Sequence, residues 1–217
     1  MGDAWLAYQI QAEATHEAIR ALVDNLMRQL GKGFAMLQGM PWGQIAEVGD
    51  HSEYVDELTE VLQSNIPKFA ENLVPAFFNM FCTKFIEAFI PKYTDTIYKC
   101  KNVDIVANQQ MLLDSKAVRG LLLKIPSMGD VKPSNMFTKL TNKDMARVED
   151  LMKTLMADNE QMVEVFLAFD LGSASDFERL CGLKGLKKRE IDTLLKALQS
   201  KLTSNNVIGW NSFTPNR

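Results

Sequence analysis

The chain has 217 residues, 47% apolar and 24% charged, with a net charge of -3. That composition excludes disordered and collagen-like chains and gives no global pull toward nucleic acid. No run approaches the roughly 18 apolar residues of a membrane span, and the opening MGDAWLAYQIQAEATHEAIR lacks the basic start and apolar stretch of a secretory signal.

A helical pattern is under way by Ala4 and continues to about Leu37. Ile19, Leu22, Val23, Leu26, Leu30, Phe34 and Leu37 recur at spacings of three and four, one apolar stripe. A helix already running at residue 4 suggests a piece of a longer chain. Residues 1–60 carry 3 basic and 10 acidic side chains, which predicts a solvated acidic helix face here. QGMPWGQ then breaks the pattern with Gly39, Pro41 and Gly43.

Asp50 or Ser52 can cap a second helix over residues 52–73, with an interruption or kink at Pro67. Pro75 suits the first position of a third helix. Along it Phe78, Phe81, Phe85, Phe89 and Tyr93 form an aromatic stripe, widened by Phe77, Ile86 and Ile90 and bent at Pro91. Asp104 opens a fourth helix that ends before Pro126. Its stretch QQMLLDSKAVRGLLLKIP is apolar around much of its girth, which predicts a helix packed between neighbours, with Asp114, Lys116 and Arg119 too few to form a site. PSMGDVKPSN is a turn-rich linker.

Beyond it the helices shorten. Thr141 and Asp144 resemble a capping box for a helix to Met156. Asp158 caps the next helix, and Ser175 caps a short one closed by Gly182. A last helix from Lys187 uses Ile191, Leu194, Leu195, Leu198 and Leu202. The tail TSNNVIGWNSFTPNR reads as extended, with Trp210 and Phe213 able to tuck onto a surface. No strand pattern of useful length occurs. The fold class is all-α: two stacked helical bundles of about eight helices, with longer helices over 1–126, a linker at 127–136, shorter helices over 137–202 and a tail at 203–217.

Chemistry-bearing motifs are sparse. HEAIR at 16–20 begins like a zinc-protease motif, but Arg20 stands where the second histidine would be needed. His16 and His51 have no nucleophile motif to serve. Cys82, Cys100 and Cys181 are odd in number and form no C-x-x-C pair, which suits a reducing compartment. Neither catalytic, cofactor-binding nor metal-binding residues are expected. GLKGLKKRE lacks phosphate-loop spacing, yet Lys184, Lys187, Lys188 and Arg189 form the densest basic cluster in the chain. Cations at a helix start oppose its macrodipole, so these four are the candidate contacts for an anionic partner, a lipid headgroup or an acidic protein segment. No aromatic residues interleave them, which argues against nucleic acid.

Five stretches occur together in register: MPWGQIAEVGDHSEYV, NIPKFAENL, FCTKFIEAFIPKY, QQMLLDSKAVRGLLLKIPS and FERLCGLKGLKKRE. In these the chain resembles the C-terminal region of the vacuolar protein sorting-associated protein 53 family, over about residues 15–202. The resemblance implies stacked helical bundles without catalytic residues. It also implies membership of a vesicle-tethering complex, the Golgi-associated retrograde protein complex or its endosomal recycling sibling. The implied partners are other tethering-complex subunits, SNARE proteins and small GTPases, and the implied location is cytosolic, peripheral on trans-Golgi network and endosome membranes. The family's N-terminal assembly region has no counterpart here, so the chain is either a piece of such a subunit or a short relative. The alternative expectation is a helical scaffold subunit of another assembly, with Trp5, Trp210 and Phe213 buried against neighbours.

Overall fold

A computed structural model describes the backbone of residues 2–211 and the side chains of residues 13–203. Among the described residues there are nine α-helices, one short 3-10 turn and no strand. The helices are α1 (Gly2–Gln29), α2 (Gly31–Gly39), α3 (Glu53–Asn72), α4 (Pro75–Ile97), α5 (Ile105–Met128), α6 (Asn135–Met156), α7 (Asn159–Ala168), α8 (Ala174–Leu183) and α9 (Lys188–Asn211). The 3-10 turn, Trp42–Gln44, lies in the glycine-proline break that ends α2.

The expected first helix is divided at Leu30 into α1 and α2. Hydrogen bonds from Leu30 N to Leu26 O and from Phe34 N to Leu30 O carry the ladder across the joint. The third expected helix is α4, with Pro75 in its first turn. Its stripe is the axis of the molecule. Phe78, Phe81, Phe85, Phe89 and Tyr93 are all fully buried. Successive rings lie 5.5–6.2 Å apart, from Phe78 through Phe81, Phe85 and Phe89 to Tyr93, the offset spacing that aromatic quadrupoles favour. Phe77 is a correction: it lies on the other face and is exposed.

Neighbouring helices wrap this axis. Phe34 packs on Phe89, and Ile19 lies beside Met80 and Lys84, so α1 and α2 run alongside α4 in the same direction. Phe69 meets Phe81 edge-on, and the Tyr54 and Tyr93 hydroxyls are 3.0 Å apart, so α3 runs antiparallel to α4. The end of α5 returns to the same end: a Cβ on Gly129 would lie 2.5 Å from both Ala70 and Phe78, so only glycine fits there. Helix α6 lies back along α5, tied by Arg119 to Asn142 and Glu149 and by Asn108 Nδ2 to the Met152 carbonyl. The buried apolar residues from Ile19 to Leu198 form one continuous core.

Several boundaries differ from the sequence reading. The proline in α3 does not interrupt it, and α5 runs through Pro126 to Met128. A proline interior to a helix loses one hydrogen bond and crowds the preceding turn, at about 3 kcal/mol. Ile66 beside Pro67 is fully buried, as are Ile125 and Pro126 itself, and that burial offsets the loss. Helix α6 starts at Asn135, well before the expected cap at Thr141, because Ser134 Oγ accepts from Phe137 N. Thr141 is mid-helix and buried, its hydroxyl donating to the Phe137 carbonyl.

Ser173, not Ser175, caps α8, in a capping box with Asp176. Gly182 does not close that helix. Gly185 does, at φ +78°, with Leu186 N donating to Cys181 O and Gly185 N to Gly182 O, a Schellman motif. Residues 203–211, expected to be extended, continue α9 as helix. The side chains of Trp5 and Trp210, and Phe213, lie outside the described residues.

Candidate functional site

The basic turn is built by two helix ends. The Schellman glycine releases the chain from α8, Leu186 sinks half-buried onto the core, and Lys187 precedes the first turn of α9. The Lys187 N–H donates to Glu190 Oε2 at 2.8 Å. The Glu190 carboxylate thus meets a free backbone donor and answers the helix macrodipole that the neighbouring cations oppose.

The four candidate cations separate here. Lys187, Lys188 and Arg189 are exposed. Lys184 is half-buried and its ammonium donates to the Ala157 carbonyl at 2.5 Å, clasping the α6–α7 turn to the end of α8. Burial pushes its amine below the ordinary lysine value. A second junction lies beside it: Val103 N donates to Leu183 O at 3.2 Å. This ties the segment between α4 and α5 to the end of α8. Sequence spacing gives no sign of that, because eighty positions separate Val103 from Leu183.

The most connected polar cluster sits elsewhere, and sequence reasoning misses it. Asp114 on α5 is fully buried, and its partners are neutral donors. Its Oδ1 accepts from Ser52 N at 2.9 Å and from Gln110 Nε2 at 3.0 Å, and its Oδ2 accepts from Ser52 Oγ at 2.8 Å. Gln110 also donates to the Asp50 carbonyl and accepts from Gly49 N. Ser52 is the N-cap of α3 yet makes no side-chain cap bond of its own. The buried carboxylate therefore sits at the positive end of α3 and pins the 49–52 segment to α5. Next to it, Tyr54, Tyr93 and Ser115 form a buried chain of hydroxyls. This cluster holds three helices together and does not line the cleft described below.

The remaining candidates are engaged or closed. His51 Nε2 lies 2.8 Å from Asp56 Oδ1, and that bond raises the imidazole's value. All three cysteines are buried and unpaired. Burial pushes Cys82 up to about 12 and Cys100 and Cys181 up to about 11, so none is a nucleophilic thiolate near neutral pH. Among the described residues no group of His, Cys, Asp and Glu is placed to hold a metal ion, and no helix is long and apolar enough to cross a membrane.

The described residues define an all-helical, stacked-bundle protein with three consecutive exposed cations, Lys187, Lys188 and Arg189, at the turn between α8 and α9. Residues 109–186 match the family described as vacuolar protein sorting-associated protein 53 C-terminus. The chain is 32% identical over 181 residues to vacuolar protein sorting-associated protein 53 A of Arabidopsis thaliana, covering 82% of this chain and 22% of that protein. It is 21% identical over 197 residues to the vacuolar protein sorting-associated protein 53 homolog of Caenorhabditis elegans, covering 87% of this chain and 25% of that protein. No solved structure gives a significant match. These matches identify the chain as a C-terminal region of the vacuolar protein sorting-associated protein 53 family. It spans about a quarter of the length of the curated relatives it matches.

Proposed function

We propose that this chain is a non-enzymatic part of a vesicle-tethering subunit, serving endosome-to-Golgi retrograde transport or endosomal recycling. The observation that carries this reading is the family match across the helical bundle. In this reading the bundle is a stiff spacer that presents a contact surface. The subunit works in the cytosol, peripherally on trans-Golgi network and endosome membranes, with other subunits of a Golgi-associated retrograde protein or endosomal recycling complex. SNARE proteins and small GTPases are the further partners.

The contact surface is the basic turn. Lys187, Lys188 and Arg189 are exposed and take the anionic partner, while Lys184 positions the turn through Ala157. Polybasic surfaces gain roughly 1 kcal/mol per cation near an anionic membrane. Vesicle flotation tests this with phosphatidylcholine vesicles and with the same lipid mixed with phosphatidylserine. The chain should float with the anionic vesicles only, and Lys187→Glu/Lys188→Glu/Arg189→Glu should abolish this while shifting stability by less than about 0.5 kcal/mol. Unchanged flotation of the triple variant, or equal binding to neutral vesicles, removes the basic turn from the reading. Affinity purification of the full-length parent then tests the tethering role by itself: recovery of an unrelated assembly instead of tethering subunits defeats it.

A further inference from the structure

A cleft of about 490 Å³ opens between α4, α6 and α8, within the roughly 300–1,000 Å³ of ligand-holding clefts. Its floor is apolar, made by Ile90, Val148, Leu151 and Leu171. Its walls carry five charged side chains: Asp95, Asp144, Asp176, Arg147 and Arg179. Four of these have partners. Arg179 donates to Asp95 at 2.6 Å and lies over the Tyr98 ring at 4.3 Å. Asp95 also binds Lys99 at 2.6 Å. Arg147 donates to the Asp170 carbonyl at 3.0 Å, and Asp176 accepts from both the backbone and the hydroxyl of Ser173.

Asp144 stands apart. It is half-buried, lines the cleft one helical turn from Val148, and has no hydrogen bond or ion pair among the described residues. Arg147, three residues on, is turned to the Asp170 carbonyl, so the Asp144 carboxylate stands beside the apolar floor without an ion pair, a poor arrangement for stability alone. The lining as a whole carries three carboxylates against two guanidiniums.

We propose that this cleft docks a partner-protein segment that sets an apolar side chain on the floor and a lysine or arginine against Asp144. Charge complementarity selects the occupant: a basic head meets the one carboxylate without a bonded partner, in a cleft whose lining carries one more carboxylate than guanidinium. The apolar floor supplies affinity, and Asp144 supplies the choice of neighbour in the bound sequence. The site is separate from the basic turn and does not depend on the vesicle-tethering reading.

Selection of a phage-displayed library of random short peptides on the immobilised chain tests it. Enriched peptides should carry a lysine or arginine next to a leucine, isoleucine or phenylalanine. In fluorescence anisotropy the enriched peptide should lose about tenfold or more in affinity with Asp144→Lys, and less with Asp144→Asn. Neither substitution removes a polar contact within the chain, so helicity and melting should stay as in the parent. The Lys187→Glu/Lys188→Glu/Arg189→Glu variant should bind the same peptide unchanged, so failure here and failure of flotation are separate results. No enrichment, enrichment of acidic peptides, or unchanged affinity in Asp144→Lys each overturns the proposal.

Discussion

Helices α3–α5 and helix α9 are held by different physics. Around α4 every aromatic of the stripe is fully buried, and even polar groups, Asp114 and the Tyr54–Tyr93 hydroxyl pair, are inside the core. Helix α9 buries only Leu198 completely among its described side chains; Ile191, Leu194 and Leu195 are half-covered and Leu202 is exposed. Helices α7 and α8 still bury Met162, Val163, Phe166, Phe177 and Leu180. Helix α9 beyond them leans on discrete polar ties: the Schellman turn at Gly185 and the Glu190 bond to the Lys187 N–H before it. The Lys184 clasp and the Arg179–Asp95 pair hold α8 in place. The early helices are specified by what surrounds them, α9 more by how it begins.

The sharpest way to break the first region is Leu122→Asp. It places a carboxylate at a fully buried position and should cost on the order of 5 kcal/mol in urea unfolding. Leu112→Asp, at a half-buried position of the same helix, should cost about half as much. Asp114→Ala leaves two Ser52 donors and one Gln110 donor without their acceptor, and should cost about 3 kcal/mol. Thermal melting with loss of amide protection at residues 49–55 would read it.

In the second region the expected effects shrink. Leu198→Ala should cost about 2 kcal/mol and Leu202→Ala less than about 0.5 kcal/mol. If the two were equal, the covered and open ends of α9 would not differ as described. Arg179→Ala should cost about 1 kcal/mol, through lost packing on Tyr98 and the lost pair with Asp95. That pair also sets a pH dependence. Hydrogen bonding from Lys99, joined by Arg179, holds Asp95 below the ordinary carboxylate value of 3.8. Its contribution is therefore complete above about pH 4 and declines as pH falls through the depressed value. Asp95→Asn should flatten the acid limb of the stability curve slightly.

How much of this is legible in the sequence depends on range. The α4 stripe is plain because three-and-four spacing over five aromatics is a local signal, and the all-α class follows from such stripes. The start of α6 is not, because Ser134 lies in KPSN, which reads as linker, while Thr141 three residues before Asp144 imitates a cap from inside the helix. Phe77 reads as part of the stripe on composition, although it lies one position off the buried face. The basic cluster is visible as a run of charge, yet the run cannot show that Gly185 turns Lys184 inward toward Ala157 and leaves the other three outside. Asp114 reads as one charge among too few to matter, because its Ser52 partner lies sixty-two positions earlier in the chain. The cleft is out of reach for the same reason: its walls come from three helices.

The bond between Ser52 and Asp114 has a consequence for how the chain comes to be folded. A helix usually carries its own starting signal, so that its first turn can nucleate alone. Helix α3 borrows its signal from α5, across the whole of α4. Its first turn is secured only when that intervening loop of chain has closed, and closure costs entropy before any contact rewards it. The beginning of α3 is thus a late event in assembly, and a peptide of residues 49–73 alone should be frayed at its start and helical only toward its middle.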